Sequence, residues 1–173
     1  MNGDRNAGSR GSTALAVIVL CAGALYFSTL NVHSYWSDEV RTALDMRMGL
    51  EEMVRSRAEN GHPPVFFSVL WVVAQIAGDG EVALRTIPAL VALACGPAVY
   101  AVFRPLVGSG PAVAAAAMLL FSPLFLSLGQ VARNYTSVVL LTLLLVRWII
   151  VAECDRGRGE EAEPWPRVVG FLR

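Results

Sequence analysis

Residues 34–64 read SYWSDEVRTALDMRMGLEEMVRSRAENGHPP. This is the one sizeable polar segment between apolar runs, and its neighbours decide the fold. Thr13–Val32 precedes it without a charge, and about 20 residues at ~1.5 Å each cross a hydrocarbon core of ~30 Å. Three further uncharged or nearly uncharged runs follow, at Thr86–Phe103, Ala112–Gly129 and Thr136–Ala152. Helix is the structure that satisfies every backbone group within such a run. The reading is therefore all-α: a polytopic membrane helix bundle of about four transmembrane helices, with juxtamembrane helices at the Ser34–Pro64 end.

Composition agrees. Hydrophobic residues make up 55 % of the chain and charged residues 16 %, with a mean hydropathy of +0.53. Soluble domains carry roughly a quarter charged residues. Net charge is zero, no basic run interleaves with aromatics, and nucleic acid is excluded as a partner. All 14 basic residues apart from histidine are Arg, a bias that suggests a GC-rich bacterial source. Cys21, Cys95 and Cys154 show no metal-binding spacing, and no metal site is expected; divalent metal has no support beyond the Asp38–Glu39 pair, a poor set of ligands.

Orientation follows from the flanks. Arg5 and Arg10 precede the first span, so residues 1–12 are expected in the cytoplasm and residues 33–64 outside, in the cell membrane. Val65–Ala77 is apolar but reaches only about 20 Å, which favours a re-entrant or juxtamembrane helix. Counting it as a span gives a five-span alternative. Pro97 and Pro123 are expected kinks, and Arg147 snorkels from the last span. Residues 153–173 form a polar cytoplasmic tail, and the chain is expected to be the N-terminal part of a longer protein.

Within the polar segment, Ser37 is an expected N-cap with Asp38 and Glu39 in the first turn. Ala43, Met46, Leu50 and Met53 recur at helical spacing, which predicts one amphipathic helix on the membrane surface, ended by Asn60-Gly61. Trp36, Trp71 and Tyr135 suit an interfacial aromatic belt. Read by themselves, Asp38 and Glu39 are ordinary first-turn acids, and Arg85 and Arg133 are ordinary interfacial anchors.

Four short pieces alter that balance: Trp36-Ser37-Asp38-Glu39, His62-Pro63-Pro64, Arg85 ahead of Pro88-Ala89-Leu90, and Gln130-x-Ala132-Arg133-x-Tyr135. In this order and on this hydropathy profile the chain, over about residues 13–152, resembles the GT-C glycosyltransferases that use lipid-phosphate sugars. These include protein O-mannosyltransferase and aminoarabinose-transferase-like members. The resemblance implies transfer of a sugar from a polyprenyl-phosphate donor, by inversion, to an acceptor on the external face. It implies Asp38 as the base, assisted by Glu39, with Arg85, Arg133 and His62 on the donor phosphate and Gln130 and Tyr135 as further candidates. No cofactor is implied; the partners are the donor, membrane lipids and a protein, glycan or lipid acceptor. A non-catalytic scaffold derived from the same fold is the alternative.

The chemistry suits such a place. A polyprenyl tail stays in the bilayer, so the scissile bond sits at headgroup level, within reach of a surface loop. Negative charge grows on the phosphate as the bond breaks, and a guanidinium stabilises it best where water is sparse.

Overall fold

The computed structural model describes residues 2–32 and 34–159 and contains only helices and turns there. In chain order these are α1 (Asn2–Ser28), α2 (Ser37–Asp45), α3 (Leu50–Glu59), α4 (Pro64–Ala77), α5 (Glu81–Val107), α6 (Ser109–Leu120), α7 (Pro123–Gly129) and α8 (Tyr135–Gly159). Three of them are long and apolar enough to cross a membrane, namely Arg10–Ser28 of α1, α5, and Tyr135–Cys154 of α8. The pair α6 and α7, bent by 62°, makes a fourth if taken as one broken span. The chain is a helical membrane bundle.

Successive spans alternate in direction. The start of α1 meets the far end of α5, where a Cβ on Gly11 would lie 3.0 Å from Ser109 and from the Tyr100 hydroxyl. At the other end, Tyr26 of α1 and Leu30 in the turn after it share a buried cluster with Ala89 and Ala92 of α5 and Phe125 of α7. The Thr136 hydroxyl donates to the Pro88 carbonyl at 3.1 Å, bringing the start of α8 beside the start of α5. Small residues permit this closeness. A Cβ on Gly129 would stand 2.9 Å from that of Ala92, and one on Gly96 would lie 2.7 Å from Leu120 Cδ1.

Several sequence expectations need amendment. The expected run Ala112–Gly129 breaks at Phe121–Ser122, because Pro123 lacks an N–H and pushes Ser122 into an extended conformation (ψ 126°). By contrast, α5 continues as one helix through Pro88, Pro97 and Pro105. The first helix begins at Asn2, not Thr13, and the last runs past Ala152 to Gly159. The remainder of the expected tail lies outside the described residues.

The surface helix is two helices. After α2, the N–H groups of Arg47 and Met48 bond three residues back, to Leu44 and Asp45, and Gly49 is extended before α3. Two side chains of α4 hold the turn: Trp71 Nε1 donates to the Met48 carbonyl at 2.9 Å and Gln75 to that of Met46 at 3.2 Å. Trp71 is thus a strut of this turn as well as an aromatic of the expected belt. The N-cap of α2 is Trp36, with Ser37 inside the first turn. Met46, Met53, Phe67 and Leu70 are 0–1 % exposed in one cluster with Leu84 and Ala132. Each such burial is worth about 1.5–3 kcal/mol against exposure to water. Leu50, expected on the same stripe, stays exposed.

At 14 residues α4 reaches about 21 Å at ~1.5 Å per residue. It starts just after His62 and ends where the Tyr35 hydroxyl donates to the Asp79 carbonyl at 2.8 Å. Tyr35 N–H also donates to Glu81 Oε1 at 3.0 Å. The chain therefore leaves and re-enters one layer at one end of the bundle. Gly78, at φ 85°, closes α4 in the left-handed region that favours glycine.

Candidate functional site

The end of the bundle where α2–α4 pack collects every candidate site residue named from the sequence. Asp38 and Glu39 come from the first turn of α2, His62 from the turn before α4, and Arg85 from the second turn of α5. Gln130 and Arg133 come from the bends between α7 and α8, and Tyr135 opens α8. They fall into an inner clasp and an outer cavity.

The inner clasp is Glu39 with Arg85. Glu39 is 0 % exposed and Arg85 3 %. Arg85 Nε donates to Glu39 Oε1 at 2.9 Å and Nη2 to Oε2 at 2.8 Å, a two-pronged pair. The same carboxylate accepts the Ala132 N–H at 2.8 Å and the Trp36 N–H at 3.2 Å. Arg85 Nη1 donates to the Leu30 carbonyl at 2.8 Å, and Nη2 reaches that of Ser34 at 3.4 Å. One ion pair thus ties the ends of α1 and α7 to the starts of α2 and α5. Burial alone would raise the Glu39 carboxyl; the Arg85 fork and the two backbone N–H groups outweigh it and hold the carboxyl below the usual carboxylate range. Gln130 serves the same scaffold, its amide bonding the Thr29 hydroxyl and the Tyr26 carbonyl.

Directly outside lies an open cavity of about 290 Å³. Asp38, Arg133, His62 and Tyr135 line it, together with Arg41, Asp45, Arg57 and Asn60. Asp38 has a 70 % exposed side chain and pairs with the 9 % exposed Arg133, Oδ2 to Nη2, at 3.1 Å. Arg133 Nη1 stands 3.3 Å from His62 Nε2, a contact that needs the neutral ring with Nε2 accepting. Arg57 is 2 % exposed, pairs with Asp45 at 2.7 Å, and lies 4.1 Å over the Phe67 ring.

Three guanidinium groups face two carboxylates, so the cavity carries surplus positive charge. Its effect is visible on two groups. Burial, then Arg133, Arg57 and Arg41, push the His62 pKa down against the pull of Asp38. Burial lowers that of Arg57, Asp45 opposes this, and Arg133 and Arg41 add to the lowering. An exposed carboxylate, Asp38, thus stands at a cavity with one guanidinium group in excess. Among the described residues no group of three or more His, Cys, Asp or Glu side chains could hold a metal ion.

Arg57, Asp45, Arg41 and Asn60 were not named as site residues from the sequence. Arg57 did leave a trace: it stands four residues after Met53, at the next position of the buried stripe, where a charge needs a partner. Asp45 supplies one, and only packing shows it.

A family model described as dolichyl-phosphate-mannose-protein mannosyltransferase matches residues 61–162, more than half of the chain. The matched region contains His62, Arg85, Gln130, Arg133 and Tyr135; Asp38 and Glu39 precede it. No curated protein and no solved structure matches.

Proposed function

We propose, from the premise that the chain belongs to the dolichyl-phosphate-mannose-protein mannosyltransferase family, that its cavity is the sugar-transfer site of a polyprenyl-phosphate-dependent enzyme. The family is one of membrane glycosyltransferases of GT-C type. The finer reading is carried by one observation: an exposed carboxylate, Asp38, paired with a buried guanidinium, Arg133, at the mouth of a positively charged cavity.

The donor phosphate takes the place of the Asp38 carboxylate on Arg133, exchanging one anion for another and freeing Asp38. Asp38 then accepts the proton of the acceptor hydroxyl as its oxygen attacks the anomeric carbon. The bond from that carbon to the phosphate oxygen breaks, its electron pair goes to the phosphate, and Arg133 stabilises the charge that develops. His62 adds a hydrogen bond to the phosphate, and Tyr135 lines the side where the sugar lies. Products are the glycoside, with inversion, and polyprenyl phosphate.

Glu39 and Arg85 act from behind. For Arg85 to meet a phosphate its fork would have to leave Glu39, stranding a buried carboxylate. We therefore assign both, with Gln130, to holding Asp38 and Arg133 in register.

The cavity end is assigned to the external face of the cell membrane. Arg5 and Arg10 in the first turns of α1 and Arg104 near the end of α5 favour this by the positive-inside rule, against the arginines that α2 and α3 carry at the cavity end. The test is transfer from a radiolabelled polyprenyl-phosphate sugar in membranes carrying the chain within its complete reading frame. Asp38→Asn is expected to lower transfer by about 10²–10⁴-fold without loss of folded protein, since its side chain is 70 % exposed. Unchanged transfer sinks the assignment of the base.

A further inference from the structure

Two buried arginines that line the same cavity, Arg57 and Arg133, each keep a buried Nε–H without an acceptor. A buried donor left unpaired is costly, so such groups call for an explanation. Arg133 pairs through Nη2 with Asp38 and through Nη1 with His62. Arg57 Nη2 stands 2.7 Å from Asp45 as an ion pair without an aligned hydrogen bond, and the guanidinium lies 4.1 Å over the Phe67 ring.

We propose that Arg57 is a second guanidinium ligand of the donor phosphate, completing with Arg133 a cradle for a single oxyanion. The inference rests on the sugar-transfer reading and extends it to a residue that the motifs do not contain. An oxyanion between the two groups accepts from both unpaired edges and cancels the surplus charge of three guanidinium groups over two carboxylates. Asp45 and Phe67 fix Arg57 before the ligand arrives, so little ordering is needed on binding. Burial, and after it the neighbouring guanidinium groups, lower the pKa of both Arg57 and His62.

A division of labour follows. Arg133 trades Asp38 for the phosphate, whereas Arg57 keeps Asp45 throughout, because that pair is buried on both sides at 2 % and 7 % exposure. Arg133 is the mobile ligand and Arg57 the fixed one.

The test titrates farnesyl phosphate, and farnesol as its uncharged counterpart, into the chain held in lipid nanodiscs. Two variants are compared with the parent: Arg57→Lys, which keeps the charge and loses the fork, and the pair Arg57→Gln with Asp45→Asn, which strands no charge. Both are expected to bind farnesyl phosphate roughly tenfold or more weakly, to bind farnesol as the parent does, and to keep the parent's melting behaviour. Parental affinity for farnesyl phosphate in both, with weakening in Arg133→Gln alone, makes Arg57 a strut and leaves the sugar-transfer reading standing. Equal weakening for farnesol likewise overturns the ligand role. A parent that does not distinguish farnesyl phosphate from farnesol overturns the sugar-transfer reading itself.

Discussion

Replacing Glu39 by Gln changes one oxygen to an amide nitrogen and removes one charge from a site with no exposure. Oε1 receives Arg85 Nε and Ala132 N–H, and Oε2 receives Arg85 Nη2 and Trp36 N–H. Whichever way the amide is turned, two donors then face an NH₂ group, and the buried Arg85 keeps only the more distant carboxylate of Glu81, at 4.0 Å, against its charge. Breaking one side of a buried ion pair costs about 3–5 kcal/mol, a large share of the ~5–15 kcal/mol that stabilises a typical fold. For a chain of this size each kcal/mol moves the melting temperature by ~2–4 °C, so Glu39→Gln is expected to melt about 6–20 °C below the parent.

The assay is thermal unfolding in detergent, followed by tryptophan fluorescence and by size-exclusion recovery. Arg85→Met should fall as far as Glu39→Gln, since it strands the carboxylate. Glu39→Gln with Arg85→Met strands no charge in the clasp and should recover much of the loss, leaving mainly one of the Trp36 and Ala132 N–H groups against the amide NH₂. The cycle should show a coupling of about 2 kcal/mol or more. Single variants that melt within ~2 °C of the parent, or a double variant equal to their sum, would refute the clasp as the pin of this end of the bundle.

The Glu39 carboxyl, held below its ordinary pKa of 4.5, stabilises the fold fully above that value; the contribution is lost as pH falls through the lowered folded value. His62 has the opposite chemistry but the same pH trend. Its folded pKa lies below the ordinary 6.5 because of burial and then Arg133, so the unfolded chain binds the extra proton first and stability declines as pH drops from 6.5 towards the folded value. NMR titration of His62, with His33 replaced by Gln, should give a midpoint below 6.5 that rises in Arg133→Gln. A midpoint at or above 6.5 in the parent contradicts the positive cavity. Single cysteines at Trp36 and Tyr135, in a background lacking the three native cysteines, should react with an impermeant maleimide from the same side of the membrane, and one at Gly110 from the other. Reaction of 36 and 135 from opposite sides refutes the alternating arrangement of spans and the shared cavity with it.

Much of the fold was legible because the bilayer imposes simple demands. An apolar run with at most one charge and long enough to cross must be helical, and Thr13–Ser28, Thr86–Phe103 and Thr136–Ala152 each lie in one helix. The short run before Gly78 left four and five spans open; as the 14-residue α4 it falls short of the candidate spans by length. Breaks inside helices were harder. Three prolines in α5 left one helix, whereas Pro123 divided α6 from α7; the residue type was the same, and the surrounding packing differed. The split between α2 and α3 was hidden because periodicity continues across Met46–Gly49, and only Trp71 and Gln75, from another helix, make the turn stable there.

The site divides in the same manner. Sequence alone determined which residue types were available at one end of the bundle: an acidic pair after the first span, a histidine before two prolines, and two arginines beside later spans. Their types and order are local properties of the chain and need no folding to be read. Which carboxylate meets which guanidinium is a property of distance in three dimensions. Glu39 closes on Arg85 across 46 residues and Asp38 on Arg133 across 95, so adjacent acids receive opposite fates, one buried and saturated, the other exposed beside a cavity. The pairing of Arg57 with Asp45 over Phe67 was likewise decided only by packing, because a buried charge persists where the fold brings it a partner.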